Sequence, residues 1–180
     1  AFDPKGGSFR REIFPEYKAN RAETPEDILL SVPYVKRVLE AMCIPILEVE
    51  GYEADDVIGT LSQKGVEAGY EVFMVTPDKD YGQLVRPCCK LYKQKGDGIE
   101  IVDCDAIRAH YGFDDPTLVR DVLALWGDAS DNIPGVPGIG EKIACKLVRE
   151  WGTVENILEN VGKIPGKQGE KIAGWADNLR

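Results

Sequence analysis

The sequence predicts an α/β fold, a mostly parallel central sheet flanked by helices, with a helical lobe at its C-terminal end. Two observations predict it. Short β-like apolar runs alternate with helically spaced ones as far as Trp126, and from Gly127 onward there are only helical patterns and Gly/Pro-rich turns.

Taken in order, Ala1 to Asp3 reads as the end of a strand entering a loop. Residues 4–27 hold Gly6-Gly7, prolines and several bases with little periodicity, which predicts an irregular segment, mobile or ordered by a partner. Val35, Val38, Leu39 and Met42 share one face of a helix over Pro33 to Met42, and Ile44 to Val49 is a short β-like run. Ala54, Val57, Ile58 and Leu61 follow the spacing i, i+3, i+4, i+7, so a helix starts near Glu53. Glu71 to Thr76 (EVFMVT) has the continuous apolar character of a buried parallel strand. Lys90 to Lys93 and Ile99 to Val102 predict a hairpin around Gly96-Asp97-Gly98, and Asp105 to Tyr111 and Pro116 to Trp126 predict helices. Ile143, Ala144, Leu147, Val148 and Trp151 form the core face of a helix after Gly140, and further short helical patterns follow.

The 180 residues suit one compact domain, and 43% apolar residues are enough for a sizeable core. No run approaches the roughly 18 apolar residues of a membrane helix. No signal peptide opens the chain. The five cysteines include no C-x-x-C pair and are odd in number, which favours structural thiols in a reducing cytoplasm. The net charge of −9 argues against nucleic acid when taken as a sum. Position qualifies the sum, because bases gather in Arg10 to Arg21 and Lys142 to Arg149 while acids gather in short clusters at loop ends.

Those acids are Asp3 after the first strand, Glu53, Asp55 and Asp56 at a helix start, Asp78 and Asp80 after EVFMVT, and Asp128 and Asp131 in the loop after Trp126. Strand C-termini and helix N-termini of a parallel α/β sheet lie on one edge, so the first three groups are expected to converge there. Three of the groups also have a plainer reading, helix-dipole complementation for Glu53, Asp55 and Asp56, a turn for Asp78 and Asp80, and turn and cap chemistry for Asp128 and Asp131. Together they would repel unless a cation lay between them. Oxygen ligands without Cys or His favour Mg²⁺ or Mn²⁺, and two such ions ~4 Å apart can activate a water and stabilise a leaving oxygen. His110 is assigned no role.

Gly135-Val136-Pro137-Gly138-Ile139-Gly140 precedes a helix bearing Lys142 and Lys146. Glycines permit tight turns and close backbone approach, and free amides at a helix N-terminus face an anion. The form G-V-x-G-I-G before a basic amphipathic helix is a helix–hairpin–helix signature, contacting phosphate without base readout. A Gly-rich loop packing two helices is the alternative.

The stretches FDPKGGSFRREIFPEYKANR, GYEADDVIGTL, VTPDKDYGQLV and GDASDNIPGVPGIGEKIACKL resemble the 5′-nuclease domain of bacterial DNA polymerase I and, more distantly, phage flap endonucleases. The resemblance implies a PIN/flap-endonuclease-like α/β nuclease core over residues 1–126, with an arch region at 5–27, and a helix–hairpin–helix lobe of the same domain over 127–180. It implies that Asp3, Glu53, Asp55, Asp56, Asp78, Asp80, Asp128 and Asp131 are the metal-site acids for two Mg²⁺ or Mn²⁺ ions. Lys18 and Arg21 would be catalytic, reaching the scissile phosphate. Tyr17 would stack on a base, and Arg10 would belong to the arch that threads a 5′ strand. Gly135, Val136, Gly138, Ile139, Gly140, Lys142 and Lys146 would grip duplex DNA, with K⁺ at the hairpin.

The implied activity is a structure-specific 5′-3′ exonuclease and 5′-flap endonuclease in primer removal and repair. Its expected partners are DNA with a 5′ flap or nick, RNA primer–DNA junctions, and the polymerase domain of the same full-length chain in a bacterial cytoplasm. On the resemblance the chain begins inside a family strand and lacks an upstream strand with a further metal-binding Asp, so little activity is expected of it alone. A non-catalytic DNA-binding module and an acidic-cluster ribonuclease are the competing readings.

Overall fold

The computed structural model describes residues 1–179. They divide into two compact units, one of residues 1–61 with Ser130–Asn132, the other of residues 62–129 with the chain from Ile133 onward.

The first unit holds α1 (Arg10–Ile13), α2 (Glu26–Ala41) and the start of α3 (Ala54–Glu67). The segment expected to be irregular is ordered from within the chain. Ser8 bridges to Gly51, α1 follows, and Lys18 N–H donates to Asp131 O at 2.9 Å. Helix α2 starts at Glu26 rather than at Pro33, which lies inside it. Proline disfavours a helical residue before it and removes one backbone donor, so it reads as a boundary. Here the helix continues through it, with Pro25 as N-cap. The runs Ala1 to Asp3 and Ile44 to Val49 are not strands, although Phe2 N–H reaches Leu47 O at 3.0 Å. Among the described residues the buried members of this unit are Ser8, Tyr17 and Glu53. The centre of the unit is therefore a polar cluster in place of an aliphatic core.

The second unit is built on a three-stranded sheet, β1 (Val72–Val75), β2 (Cys89–Lys95) and β3 (Gly98–Val102) in that order. It is mixed rather than mostly parallel: β1 runs parallel to β2, and β2 pairs antiparallel with β3 through the Gly96-Asp97 turn. Strand β1 was expected to be buried on both faces. Met74 is buried, but Phe73 and Val75, which alternate onto the opposite face of the strand, are exposed. Helix α4 (Cys104–Tyr111) is capped by Asp103, whose side chain accepts from Ala106 N–H, and ends at Gly112 in the left-handed region.

Helices α5 (Val119–Trp126), α6 (Glu141–Trp151), α7 (Val154–Glu159) and α8 (Lys167–Gly174) follow, with the short pair β4 (Gly127–Asp128) and β5 (Ile133–Pro134) between α5 and α6. Leu91, Val119, Val122, Leu125, Val148, Ile157 and Ile172 are fully buried and form the hydrophobic core. Asp121 in α5 is buried too, and its carboxylate accepts Val154 N–H at 2.8 Å, satisfying a donor at the start of α7.

Candidate active site

In the first unit, Glu53 lies just before α3, where the first-turn amides and the helix dipole favour an anion. Its Oε1 accepts Ser8 Oγ at 2.8 Å, and its Oε2 accepts the Tyr17 hydroxyl at 2.9 Å and Lys18 Nζ at 2.7 Å. Burial alone would raise the Glu53 pKa, but the bonds from Lys18, Ser8 and Tyr17 outweigh it and hold the carboxyl below its ordinary value. Asp131 comes to the same place. The Tyr17 hydroxyl lies 3.1 Å from its Oδ2, Lys18 Nζ lies 3.9 Å from that oxygen, and Arg21 Nη2 bonds Oδ1 at 2.5 Å.

Arg10 grips Asp56 with two bonds of 2.8 Å, and this pairing lowers the Asp56 pKa against the opposing effect of burial. Asp3 Oδ1 accepts Ala54 N–H at 2.7 Å, and Asp55 is exposed. Asp3, Ser8, Arg11, Lys18, Arg21 and Glu53 line a cleft of about 470 Å³.

In the second unit, Asp78, Asp80 and Asp128 come together around Lys79. Lys79 Nζ lies 2.5 Å from Asp128 Oδ2 and 3.7 Å from Asp80 Oδ1, and 5.3 Å from the centre of the Trp126 ring. Burial opposes its charge, but Asp128, Asp80 and Asp78 raise its pKa overall. Asp78 Oδ1 accepts Asp80 N–H at 2.9 Å, which sets the turn that presents both side chains.

Each unit thus brings two carboxylates onto one ammonium, Glu53 and Asp131 onto Lys18, Asp80 and Asp128 onto Lys79. The donors are all carboxylate oxygens, suited to a hard divalent cation, and in each place a lysine already supplies positive charge. Among the described residues no three carboxylates close into a ready-made metal cage. The lysines explain the spacing, since each side chain stands where the acids would otherwise repel. Lys79 was not singled out from the sequence, although its place between Asp78 and Asp80 was the available signal.

Four residues differ in placement from the sequence expectation. Tyr17, expected to stack on a base, is 5% exposed with its hydroxyl on two carboxylates. Arg10 is engaged by Asp56. Val136 and Ile139 of the hairpin are buried, so only their backbone can face a phosphate.

The hairpin itself is tightly built. Val136 N–H donates to Leu125 O at 2.9 Å, and Ile139 N–H to Val136 O at 2.9 Å. A Cβ at Gly135 would lie 2.1 Å from Trp126 O, so no other residue fits there. Lys142 and Lys146 are exposed on α6. Lys171 of α8, not anticipated from the sequence, lays its ammonium beside the hairpin: a Cβ at Gly138 would lie 2.6 Å from Lys171 Nζ.

Comparison with known proteins identifies the family of the chain. Residues 1–112 match the family described as 5′-3′ exonuclease, N-terminal resolvase-like domain, and residues 115–180 match 5′-3′ exonuclease, C-terminal SAM fold. The chain is 44% identical over 170 residues to DNA polymerase I of Bacillus caldotenax, covering 93% of this chain and 19% of that protein. It is 42% identical over 180 residues to the thermostable DNA polymerase I of Thermus thermophilus, covering 99% of this chain and 21% of that protein. The chain therefore spans about a fifth of the length of these relatives.

Among solved structures, the bacteriophage T5 5′-exonuclease with bound divalent metal ions (zinc) superimposes with a TM-score of 0.80 at 27% identity, covering 98% of this chain and 69% of that one. The T5 flap endonuclease in a pseudo-enzyme-product complex with DNA and metal ions gives 0.80 at 26% identity, covering 98% and 68%. With both family domains matched in order along its length, the chain belongs to the 5′-3′ exonuclease family.

Proposed function

We propose that this chain is part of a nuclease domain that hydrolyses phosphodiesters near DNA 5′ ends, as an exonuclease and 5′-flap endonuclease, with two divalent metal ions, Mg²⁺ or Mn²⁺. The observation that carries the reading is the convergence of two carboxylate pairs, each on a single lysine ammonium. Bound there, hard divalent ions would supply an activated water and neutralise charge on the phosphate. Glu53, Asp131, Asp80 and Asp128 would hold them, with Asp3, Asp55, Asp56 and Asp78 adding negative charge or bracing the first four. Lys18 and Arg21, released from Glu53 and Asp131, carry their charge to the scissile phosphate and stabilise the charge that develops on its oxygens.

The hairpin amides of Gly138 and Gly140, with Lys142, Lys146 and Lys171, hold the duplex by its phosphates without base readout. K⁺ on the hairpin carbonyls belongs to the same reading. The substrates are 5′ flaps, nicks and primer–DNA junctions, and the natural partner is a polymerase region in the same polypeptide.

The test is Mg²⁺-dependent cleavage of a 5′-flap duplex by this chain, beside a longer chain extended upstream. Cleavage is expected to depend on Mg²⁺ and to be lost in Asp78→Ala and Asp128→Ala while duplex binding persists. Absence of cleavage by both lengths of chain, or near-wild-type cleavage by both variants, would overturn the reading.

A further inference from the structure

A short pattern occurs twice in the second unit. VPGIGEKIA at 136–144 is followed by IPGKQGEKIA at 164–173, one residue longer. In both copies a buried aliphatic side chain, Val136 and then Ile164, anchors the turn to the core. A proline follows, then a glycine in the left-handed region, φ 79° at Gly138 and 69° at Gly166. A helix comes next, α6 after Gly140 and α8 after Gly166. Proline fixes φ and glycine turns the chain without steric cost, so the same residues dictate a similar turn in both places.

The copies differ in where the helix starts. Helix α8 begins three residues earlier relative to the shared Gly-Glu-Lys-Ile-Ala, so Gly169 lies inside it. A Cβ at Gly169 would lie 2.7 Å from Val161 O and 2.8 Å from Ile164 O, so this glycine serves the packing of α8 on its own turn. What the second copy offers a ligand is therefore its side chains, Lys167 at the start of α8 and Lys171 one turn on.

Charge follows the repeat. Residues 135–149 carry Lys142, Lys146 and Arg149 against Glu141, and residues 161–174 carry Lys163, Lys167 and Lys171 against Glu170. Both stretches are basic in a chain with 31 acids and 22 bases. Lys167 and Lys171 are exposed, and among the described residues neither is held by a carboxylate. The copies also meet. Lys171 Nζ lies against the turn of the first copy, where a Cβ at Gly138 would stand 2.6 Å from it. The two turns therefore share one basic surface.

We infer that residues 164–171 form a second contact for duplex DNA, in which Lys167 and Lys171 carry the surface of the first hairpin further along the phosphate backbone. The inference rests on the reading of the first hairpin as a phosphate contact given above, and adds to it Lys167 and a longer footprint. Duplex is the occupant because Lys171 joins this surface to the hairpin that holds duplex in that reading. Lysines are flexible point charges, so the contact carries no base readout.

Lys167→Gln and Lys171→Gln remove the charges and keep most of each stem. The measurement is fluorescence anisotropy of a blunt duplex with this 180-residue chain in EDTA, across a salt series, with Lys146→Ala as the probe of the first hairpin. Each glutamine variant is expected to reduce the slope of log K against log salt by roughly 0.9, and the double variant by roughly 1.8, equally for unrelated sequences. Urea midpoints are expected to stay in place. On successively shorter duplexes the effect of Lys167→Gln is expected to vanish before that of Lys146→Ala, because the second contact lies farther along.

An unchanged slope in the double variant, with a reduced slope in Lys146→Ala, would overturn the inference and leave the first hairpin standing. A loss confined to single-stranded DNA would overturn it as well. Unchanged slopes in all of the variants would remove the hairpin reading itself, and this inference with it.

Discussion

Glu53 and Asp56 differ from the other acids in how fully they are satisfied. Glu53 is buried and takes three side-chain donors, and Asp56 takes both bonds of the Arg10 fork plus the Glu53 amide at 2.9 Å. Their identity as important acids was legible from their place at a helix start. Their partners were not, because Ser8, Arg10, Tyr17 and Lys18 lie 35 to 46 residues away in a stretch without periodicity. Both carboxyls have folded pKa values below their ordinary values. A carboxyl whose folded pKa is lowered binds fewer protons folded than unfolded, so its contribution is complete above the unfolded pKa. It is lost as pH falls through the folded value. Stability is therefore expected to decline below about pH 4, the unfolded carboxylate range. Asp56→Asn is expected to cost on the order of 1 kcal/mol at pH 7 and to flatten that acid limb. Urea midpoints between pH 2.5 and 7 check it, and parallel curves for variant and wild type would refute the assignment.

Elements with their own local signals were the most legible. Helix α3, the β2–β3 hairpin with its Gly96-Asp97 turn, α4 and α6 behind Gly140 follow from spacing and turn residues alone, while the Asp103 cap of α4 was not read from the sequence. The early boundary of α2 was hidden by Pro33, and the extent of burial on β1 was hidden because a strand's two faces depend on neighbours that sequence spacing cannot supply. The β4–β5 pair was not foreseen, since two-residue strands carry no period, but Gly135 in its tight contact with Trp126 O is the residue that makes it possible. On α6, the buried face of Ala144, Leu147 and Val148 fixes the helix rotation and leaves Lys142 and Lys146 outward. Lys146→Ala is accordingly expected to weaken binding equally for duplexes of unrelated sequence and to reduce the salt slope, log K against log salt, by roughly 0.9. Fluorescence anisotropy across a salt series measures it. A sequence-selective loss, or an unchanged slope, would exclude a phosphate contact.

For the molecule as a whole, the net charge of −9 conceals an internal arrangement in which chain cations stand among the acids. A sum over the sequence could not show this, since it depends on which lysine reaches which carboxylate. Lys79 lies on Asp128 and near Asp80, and Lys18 lies on Glu53 and near Asp131. Such pairing lowers the cost of folding around clustered carboxylates, and it competes with any cation from solution. Both consequences are measurable in the melting temperature. A ligand present at 100 times its Kd stabilises the folded state by about 2.7 kcal/mol, which for a chain of this size corresponds to a rise of roughly 5–10 °C. Mg²⁺ at that level is expected to raise the wild-type Tm by no more than this, and EDTA to reverse it. Lys79→Met keeps much of the side-chain volume and removes the charge. Without Mg²⁺ its Tm should fall below wild type, because Asp80 and Asp128 then lose the ammonium between them. With Mg²⁺ its rise should exceed that of wild type, because the competing ammonium is gone. Differential scanning calorimetry of the two chains, each in EDTA and in Mg²⁺, measures all four values. Equal Mg²⁺-induced shifts would show that Lys79 does not stand where the cation binds, and would place the metal elsewhere among the acids.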